Sequence, residues 1–228
     1  MNLRRTLPII ALIYVIEGFP MGVHDLWPIY LRRHGASLTE VGLLSALGFA
    51  WTLKVLWSPL IDRFGERRRW VAGSMAVMAA AIFWVSQSDA HSISISLWIA
   101  LWVYCLASAT QDVAIDAYSI GITEHGQEGP VNSIKAIAYR VGMLLATALL
   151  FLPRWIGWSG TFALAALISA GMAVAVFAAP RIEVPKPERS EVWPALKCWL
   201  GDRHGAAVIV FVMLYRIGDL AMGPMLST

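Results

Sequence analysis

Several ionisable side chains stand inside long apolar segments of this 228-residue chain. If such a segment crosses a membrane, a charge near its centre costs at least about 2.5–3.5 kcal/mol. Four charges fall near the middle of their segments: Glu17, Arg140, Arg216 and Asp219. Charges at that depth usually face a water-filled cavity or an oppositely charged partner. We therefore predict that these four line a polar path for a solute or for protons. Buried ion pairs that only hold helices together are the alternative.

A second group, Lys54, Asp112 and Asp116, falls nearer one end of its segments. Asp112 and Asp116 are four residues apart, so they share one face of a helix. Two carboxylates that close disfavour joint ionisation unless cations neutralise them. Lys54 and the basic cluster from Arg63 to Arg69 occur at a similar depth. We predict that this group forms an inner gate or a conformational latch; a role in substrate binding is the alternative.

The charges of both groups comprise four acids and three bases, so the acids outnumber the bases by one. A carboxyl group in an apolar cavity without a neutralising cation can take up a proton near neutral pH. Glu17 is the candidate, because no cation follows it within two helical turns. We therefore expect protons to be the coupling ion.

The run Glu17-Gly18-Phe19-Pro20 predicts a helix break at mid-depth in the first apolar segment. Pro20 has no N–H to donate to the helix, and Gly18 permits a local bend. Broken helices near the midplane often line transport sites. An ordinary kinked membrane helix is the alternative.

Long apolar runs must position these side chains. The chain is 58% hydrophobic and 14% charged, whereas soluble domains carry about a quarter charged residues. A helix needs about 20 apolar residues to cross the hydrocarbon core. None of the runs alternates polar with apolar residues, so they predict an all-α membrane protein rather than a barrel. The predicted spans are Leu7–Tyr30, Leu38–Ile61, Trp70–Ser86, Ile93–Ile120, Val131–Phe151, Trp158–Ala179 and Ala206–Leu226.

The longest polar break, rich in charge and proline, runs from Pro180 to about His204. We therefore predict a six-helix bundle at 1–179, a cytoplasmic linker at 180–204 and the first helix of a second bundle at 205–228. Six spans, a long linker and a seventh span is the layout of a twelve-helix transporter interrupted early in its second half. We expect the rest of that half to be absent from this chain and to be needed for function.

The positions of Lys and Arg predict the orientation, because cytoplasmic loops carry an excess of both. With the N-terminus inside, the inner segments hold twelve basic residues and the outer segments hold three. We therefore predict a multi-pass protein of the inner (plasma) membrane with a cytoplasmic N-terminus. The inner residues are Arg4, Arg5, Arg63, Arg67, Arg68, Arg69, Lys135, Arg181, Lys186, Arg189, Lys197 and Arg203, and the outer ones are Arg32, Arg33 and Arg154.

Other function classes lack their motifs in this sequence. The two cysteines and five histidines show no ligand spacing, so we predict no metal and no cofactor. No phosphate-binding Gly-x-x-x-x-Gly-Lys-Ser/Thr loop appears, and no nucleophile, base and orienting acid occur at usable spacing, which disfavours a primary pump and an enzyme. The net charge of +3 arises from the loops, so we do not predict nucleic-acid binding.

The stretch at 58–69 reads Ser-Pro-Leu-Ile-Asp-Arg-Phe-Gly-Glu-Arg-Arg-Arg. It resembles the loop between helices 2 and 3 of the major facilitator superfamily, whose pattern is Gly-x-Leu-Ala-Asp-Arg-x-Gly-Arg-Lys. Asp62, Arg63 and Gly65 match, whereas a serine replaces the first glycine and Glu66 stands where a basic residue is usual. The resemblance implies that these three matching residues, with Arg67, steady the outward-open state through charge contacts across two halves.

Four further stretches, 52–62, 108–118, 139–143 and 215–219, resemble AmpG-type muropeptide permeases and acetyl-CoA transporters. The most specific is Ala-Thr-Gln-Asp-x-Ala-x-Asp, which contains Asp112 and Asp116. The resemblance implies a major facilitator fold and, in bacteria, proton-driven import of anhydromuropeptides across the inner membrane by alternating access. The charges Glu17, His24 and Asp25 depart from the pattern of those permeases.

Three alternatives therefore stay open beside muropeptide import. A transporter of the same family could carry another small solute, such as an acyl-CoA or a sugar. A membrane assembly or signalling protein could keep the fold without transport. A chain of seven spans could also be an inactive fragment, because half of the cavity wall would be missing.

Overall fold

The computed structural model describes residues 3–63, 66–88 and 94–178, together with isolated helical residues at 198, 201, 205, 207 and 211. At 3–5, 62–63 and 178 it describes the backbone alone. Every regular element in this part of the chain is helical. The α-helices are α1 (Leu3–His24), α2 (Leu26–Arg33), α3 (Leu38–Leu43), α4 (Phe49–Leu53), α5 (Ser58–Arg63), α6 (Arg67–Gln87), α7 (Ile95–Ile122), α8 (Glu128–Thr147) and α9 (Pro153–Ala178), with 3-10 segments at Leu44–Gly48, Lys54–Leu56 and Ala148–Phe151.

These helices form six segments that are long and apolar enough to cross a membrane, close to the first six predicted spans. They are Thr6–Arg33, Leu38–Leu56, Arg67–Gln87, Ile95–Ile122, Glu128–Phe151 and Pro153–Phe177. We call them spans 1 to 6. The predicted linker and seventh span lie almost wholly outside the described residues, so both stay predictions.

Span 2 differs from the single regular helix that the sequence predicts over Leu38–Ile61. Short α-helical and 3-10 segments alternate from Leu38 to Leu56, and a turn at Trp57 separates them from α5. Few side chains of this span are buried: only Val41, Leu44, Leu47 and Ala50 are packed away from solvent. Few tertiary contacts therefore enforce one helical geometry along it.

Three helix pairings organise the bundle. Helix α1 packs along α8, and α6 lies between α7 and α9, while α7 also contacts α1. Consecutive spans alternate in direction, so the start of α6 lies at the same end of the bundle as the end of α9, where the Arg68 guanidinium stands 5.3 Å from the Phe177 ring. We call this the Arg67 end. At the other end, Trp27 stacks on Phe162 with ring centroids 4.8 Å apart.

Glycines let the α1 and α8 backbones touch. A Cβ on Gly18 would overlap the carbonyl oxygen of Tyr139, and one on Gly142 would overlap that of Val15. A Cβ on Gly22 would lie 2.7 Å from the Cβ of Ala146. Such close approach, with small residues four apart, gives membrane helices their packing energy because lipid offers no hydrophobic driving force.

The predicted helix break at Gly18 and Pro20 is wrong. Helix α1 continues through both residues to His24, and the chain turns only at Asp25. Pro20 leaves the Ile16 carbonyl without its helical donor, and the amide of Gln111 donates to that oxygen at 3.3 Å. The hydroxyl of Tyr104 donates to the Pro20 carbonyl at 2.6 Å. Gln111 on α7 thus replaces the donor that the proline removes, Tyr104 adds a second bond from α7 to α1, and the helix stays whole.

Candidate functional site: a charge cluster between spans 1, 2 and 4

Lys54 and Asp112 form an ion pair between spans 2 and 4. The ammonium of Lys54 donates a hydrogen bond to Oδ2 of Asp112. The two side chains are 32% and 21% exposed, so the pair is partly shielded from water. Lys54 reaches it from the 3-10 segment of span 2, and Asp112 lies midway along α7. This ion pair can hold spans 2 and 4 together as a latch.

Glu17 joins this pair from span 1. Its partly buried carboxyl group approaches that of Asp112 closely enough to share a hydrogen bond, and Lys54 and Asp116 are near enough to act on it electrostatically. Oε2 of Glu17 is buried and meets no hydrogen-bond donor among the described residues. A hydrogen bond between two carboxyl groups requires a proton on one of them, because ionised carboxylates only accept. The geometry therefore suits two carboxyl groups that hold one proton beside one ammonium.

Asp116 continues the polar contacts towards the Arg67 end. The hydroxyl of Tyr14 donates to Oδ1 of Asp116 at 2.7 Å and lies 3.2 Å from the Ser119 hydroxyl. The ammonium of Lys135 on α8 stands 5.0 Å from the centroid of the Tyr14 ring. Asp116 itself is exposed. Polar groups of spans 1, 4 and 5 therefore meet around Tyr14.

Comparison with known proteins places this fold in a family. Residues 10–226 match the model of the Major Facilitator Superfamily. The chain belongs to the Major Facilitator Superfamily. The superfamily and the all-helical membrane fold that the sequence predicted are thereby confirmed.

Individual relatives narrow the similarity to the AmpG-type branch of the superfamily. The chain is 30% identical over 228 residues to the anhydromuropeptide permease of Escherichia coli K12, covering 92% of this chain and 45% of that protein. It is 21% identical over 239 residues to putative transporter AmpG 4 of Rickettsia conorii, covering 96% and 58%. An uncharacterized Haemophilus influenzae protein is 29% identical over 224 residues, covering 89% and 52%. The chain thus spans about half the length of these curated relatives.

Within this superfamily fold, the two predicted charge groups are not separate. The sequence placed Glu17 in a midplane group and Asp112 in a gate group, yet the structure brings their carboxyl groups into contact. Helix α1 lies between α7 and α8, so its inward face reaches the side chains of both. Lys54 of span 2 is near enough to act on Glu17 electrostatically, although its ion pair is with Asp112.

Arg140 does not join the cluster. It lies on the exposed side of α8 and makes no ion pair with any residue that the structure describes. Its half-buried neighbour Tyr139 is near enough to Glu17 for the two to interact electrostatically. Asp62 and Arg63 end α5, where the structure describes the backbone alone, and Arg67 begins α6. The other predicted site residues, Gly65, Arg216 and Asp219, lie outside the described residues.

Sequence reasoning missed several polar partners of the superfamily bundle. Tyr14 bonds to Asp116 and lies beside Ser119, and Lys135 stands over the Tyr14 ring. Gln111 and Tyr104 support α1 beside Pro20. A spacing signal was present. Tyr14 precedes Glu17 by three residues, and Ser119 follows Asp116 by three, so each pair shares a helix face. The Gly18-x-x-x-Gly22 spacing equally indicated a close helix contact.

Proposed function

We propose that the protein is a secondary transporter that couples the proton gradient to import of an anhydromuropeptide or a similar solute by alternating access. The observation that carries the proposal is the contact of Glu17, Lys54 and Asp112 across three membrane spans. Ionisable groups inside spans are costly, so their joint placement favours a transport role over a purely structural one.

Charge arithmetic suggests how a proton drives the conformational change. With both carboxyl groups ionised, the cluster of Glu17, Asp112 and Lys54 carries one net negative charge; with one proton bound, it is neutral. A neutral cluster costs less to enclose in a low-dielectric bundle than a charged one. Proton binding therefore favours the closed arrangement, and proton release favours an open, hydrated one.

The solute class rests on the relatives. One is named an anhydromuropeptide permease and another a putative AmpG transporter. Peptide-bearing solutes carry carboxylates, and a guanidinium binds carboxylates through paired hydrogen bonds. Arg140, exposed on α8, is our proposed solute contact, with Arg216 and Asp219 from the predicted seventh span. Lys54 with Asp112, and the loop of Asp62, Arg63, Gly65 and Arg67, are the proposed latch.

Uptake measurements test this function. The complete gene product, expressed in cells that lack their own permease, should accumulate labelled anhydromuropeptide, and faster at lower external pH. The Glu17→Gln variant should still bind the solute but lose the pH dependence, because its amide cannot exchange a proton. Glu128→Gln, an exposed position on the same chain, is the matched control and should keep the wild-type pH profile.

Two results would contradict separate parts of the proposal. No accumulation by wild-type protein that is present in the membrane would reject the muropeptide as solute. Accumulation with an unchanged pH profile in Glu17→Gln would leave the solute assignment standing and reject the coupling role of Glu17.

A further inference from the structure

Two apolar grooves flank helix α6 near the Arg67 end. One, of about 730 Å³, lies between α6, α7 and the end of span 2, and Trp57, Val77 and Leu106 contribute to its lining. The other, of about 680 Å³, lies between α6 and α9, beside Val174 and Phe177. Their volumes are typical of sites for small ligands. Val77, Val174 and Phe177 are exposed, although they lie in spans that must be covered by something apolar.

The grooves share Arg69 and Gly73 as lining residues. These residues are one helical turn apart, so they lie on one face of α6. A Cβ built on Gly73 meets no atom within 4 Å. The missing side chain therefore leaves a saddle over α6 through which the two grooves connect, with the guanidinium of Arg69 at its entrance.

The grooves are distinct from the charge cluster of the proposed transport site. Val103, Leu106 and Thr110 line the first groove from α7. At 3.6 residues per turn, Asp112 lies roughly 120–180° around the helix from each of them. Asp112 instead pairs with Lys54 and lies near Glu17, on a different side of α7 from these three residues. A solute in the central path would not occupy these grooves.

Charge at the entrance selects an anionic ligand. Arg69 is 63% exposed, and its Nε lies 3.4 Å from a Glu66 carboxylate oxygen that also stands 3.5 Å from Arg68. Residues 62–69 contain four arginines and two acids, a net charge of +2. The positive end of the α6 dipole adds to this field. Juxtamembrane basic clusters attract anionic lipid headgroups.

The dimensions fit a lipid of one leaflet. From Arg69 to Val77 the axis of α6 rises about 12 Å at 1.5 Å per residue. One leaflet contributes about half of the 30 Å hydrocarbon core. We propose that α6 carries a binding site for an anionic diacyl phospholipid, with the phosphate at Arg69 and one acyl chain in each groove across Gly73. This assignment does not depend on what the protein transports.

Native mass spectrometry tests the site. The complete gene product in detergent is mixed with equal amounts of phosphatidylglycerol and phosphatidylcholine that carry the same acyl chains. We expect wild type to retain phosphatidylglycerol at least about threefold more than phosphatidylcholine. Arg69→Gln should remove this preference, and Gly73→Leu should reduce retention of both lipids by filling the saddle. A Cβ at Gly73 meets no atom within 4 Å, so folding should survive, as a wild-type elution profile will verify.

Matched controls isolate each effect. Gly129→Leu adds the same side chain at another open helical glycine, and Arg154→Gln removes another exposed arginine; both should retain lipid as wild type does. If Arg69→Gln and Gly73→Leu behave like their controls, the proposal is wrong. It is also wrong if glycerol phosphate, which has the headgroup without chains, displaces phosphatidylglycerol at equal concentration. Loss of a dimer in Gly73→Leu with unchanged lipid retention would assign the grooves to a second copy of the chain instead.

Discussion

The ammonium of Lys54 lowers the free-energy cost of ionising the two carboxyl groups beside it. Without its ammonium, Asp112 and Glu17 would present two acids to each other in a partly dehydrated site, and like charges disfavour joint ionisation. With it, one acid is neutralised and the other can exchange a proton. At the scale of single residues, the charge state of the candidate site therefore depends on all three groups and not on Glu17 alone.

This balance predicts the outcome of a double-mutant cycle. Removing one partner of a fully buried pair costs about 3–5 kcal/mol. Because Lys54 and Asp112 are 32% and 21% exposed, we expect Lys54→Met to lower the free energy of unfolding by only about 2 kcal/mol, after discounting for screening by water. The Lys54→Met/Asp112→Asn double variant should recover part of that loss, because no uncompensated charge remains. Chemical unfolding in detergent measures both, and additive effects of the two substitutions would rule out direct coupling.

At the scale of helices, the contact of α1 with α8 fixes the rotation of α1. Gly18, Gly22 and Gly142 let the two backbones meet, so α1 has little freedom to turn about its axis. That rotation directs Glu17 towards Asp112, and Tyr14, three residues earlier, towards Asp116. The glycines thus position the ionisable groups without touching them.

Adding one methyl group at this contact should separate the helices. In Gly142→Ala the new Cβ would overlap the Val15 carbonyl oxygen, and backbone atoms cannot swing aside as a side chain can. We expect a loss of about 3 kcal/mol in unfolding free energy, the upper end of typical overpacking costs. Gly129→Ala lies in the first turn of the same helix with no atom near its Cβ, and it should be neutral or slightly stabilising because alanine favours helix. Equal stability of the two variants would disprove the close contact.

At the scale of the whole molecule, six spans place alternate loops at opposite ends of the bundle. The 123–127 loop lies at the Arg67 end, and the junction of spans 5 and 6 near Trp155 lies at the other. The excess of Lys and Arg at the Arg67 end predicts that this end faces the cytoplasm. Both positions are exposed, so they suit labelling from either side.

Cysteine labelling in intact cells measures this orientation. In a Cys198→Ser background, where the remaining Cys105 is buried, a membrane-impermeant maleimide should label Trp155→Cys but not His125→Cys. Permeabilised cells should show labelling of both, which controls for reactivity. The opposite pattern in intact cells would invert the predicted topology and, with it, the direction of the proposed import.

The spans were predictable because a membrane helix is a local structure. Each satisfies its backbone within its own 20 or so residues, and the length of an apolar run can be counted directly from the residues. The six described spans therefore agree closely with the sequence prediction, and the match at 58–69 indicated the superfamily.

Helix continuity at Pro20 was different, because it depends on another span. The proline removes a donor in α1, but Gln111, 95 residues away along the chain, donates to the Ile16 carbonyl in its place. No local pattern in the first span contains that information. The missing N–H of Pro20, considered without its neighbours, therefore predicted a helix break that the packed bundle does not have.

The sequence by itself determined that ionisable side chains stand in membrane spans, because residue type and hydropathy need no neighbours to be known. Only the tertiary structure decided which of them meet: Glu17 contacts Asp112, Lys54 completes the group, and Arg140 turns to the exposed side of α8. Contacts between helices depend on their rotation and crossing, which the backbone approach at Gly18 and Gly142 sets, and those quantities belong to pairs of helices rather than to any one of them.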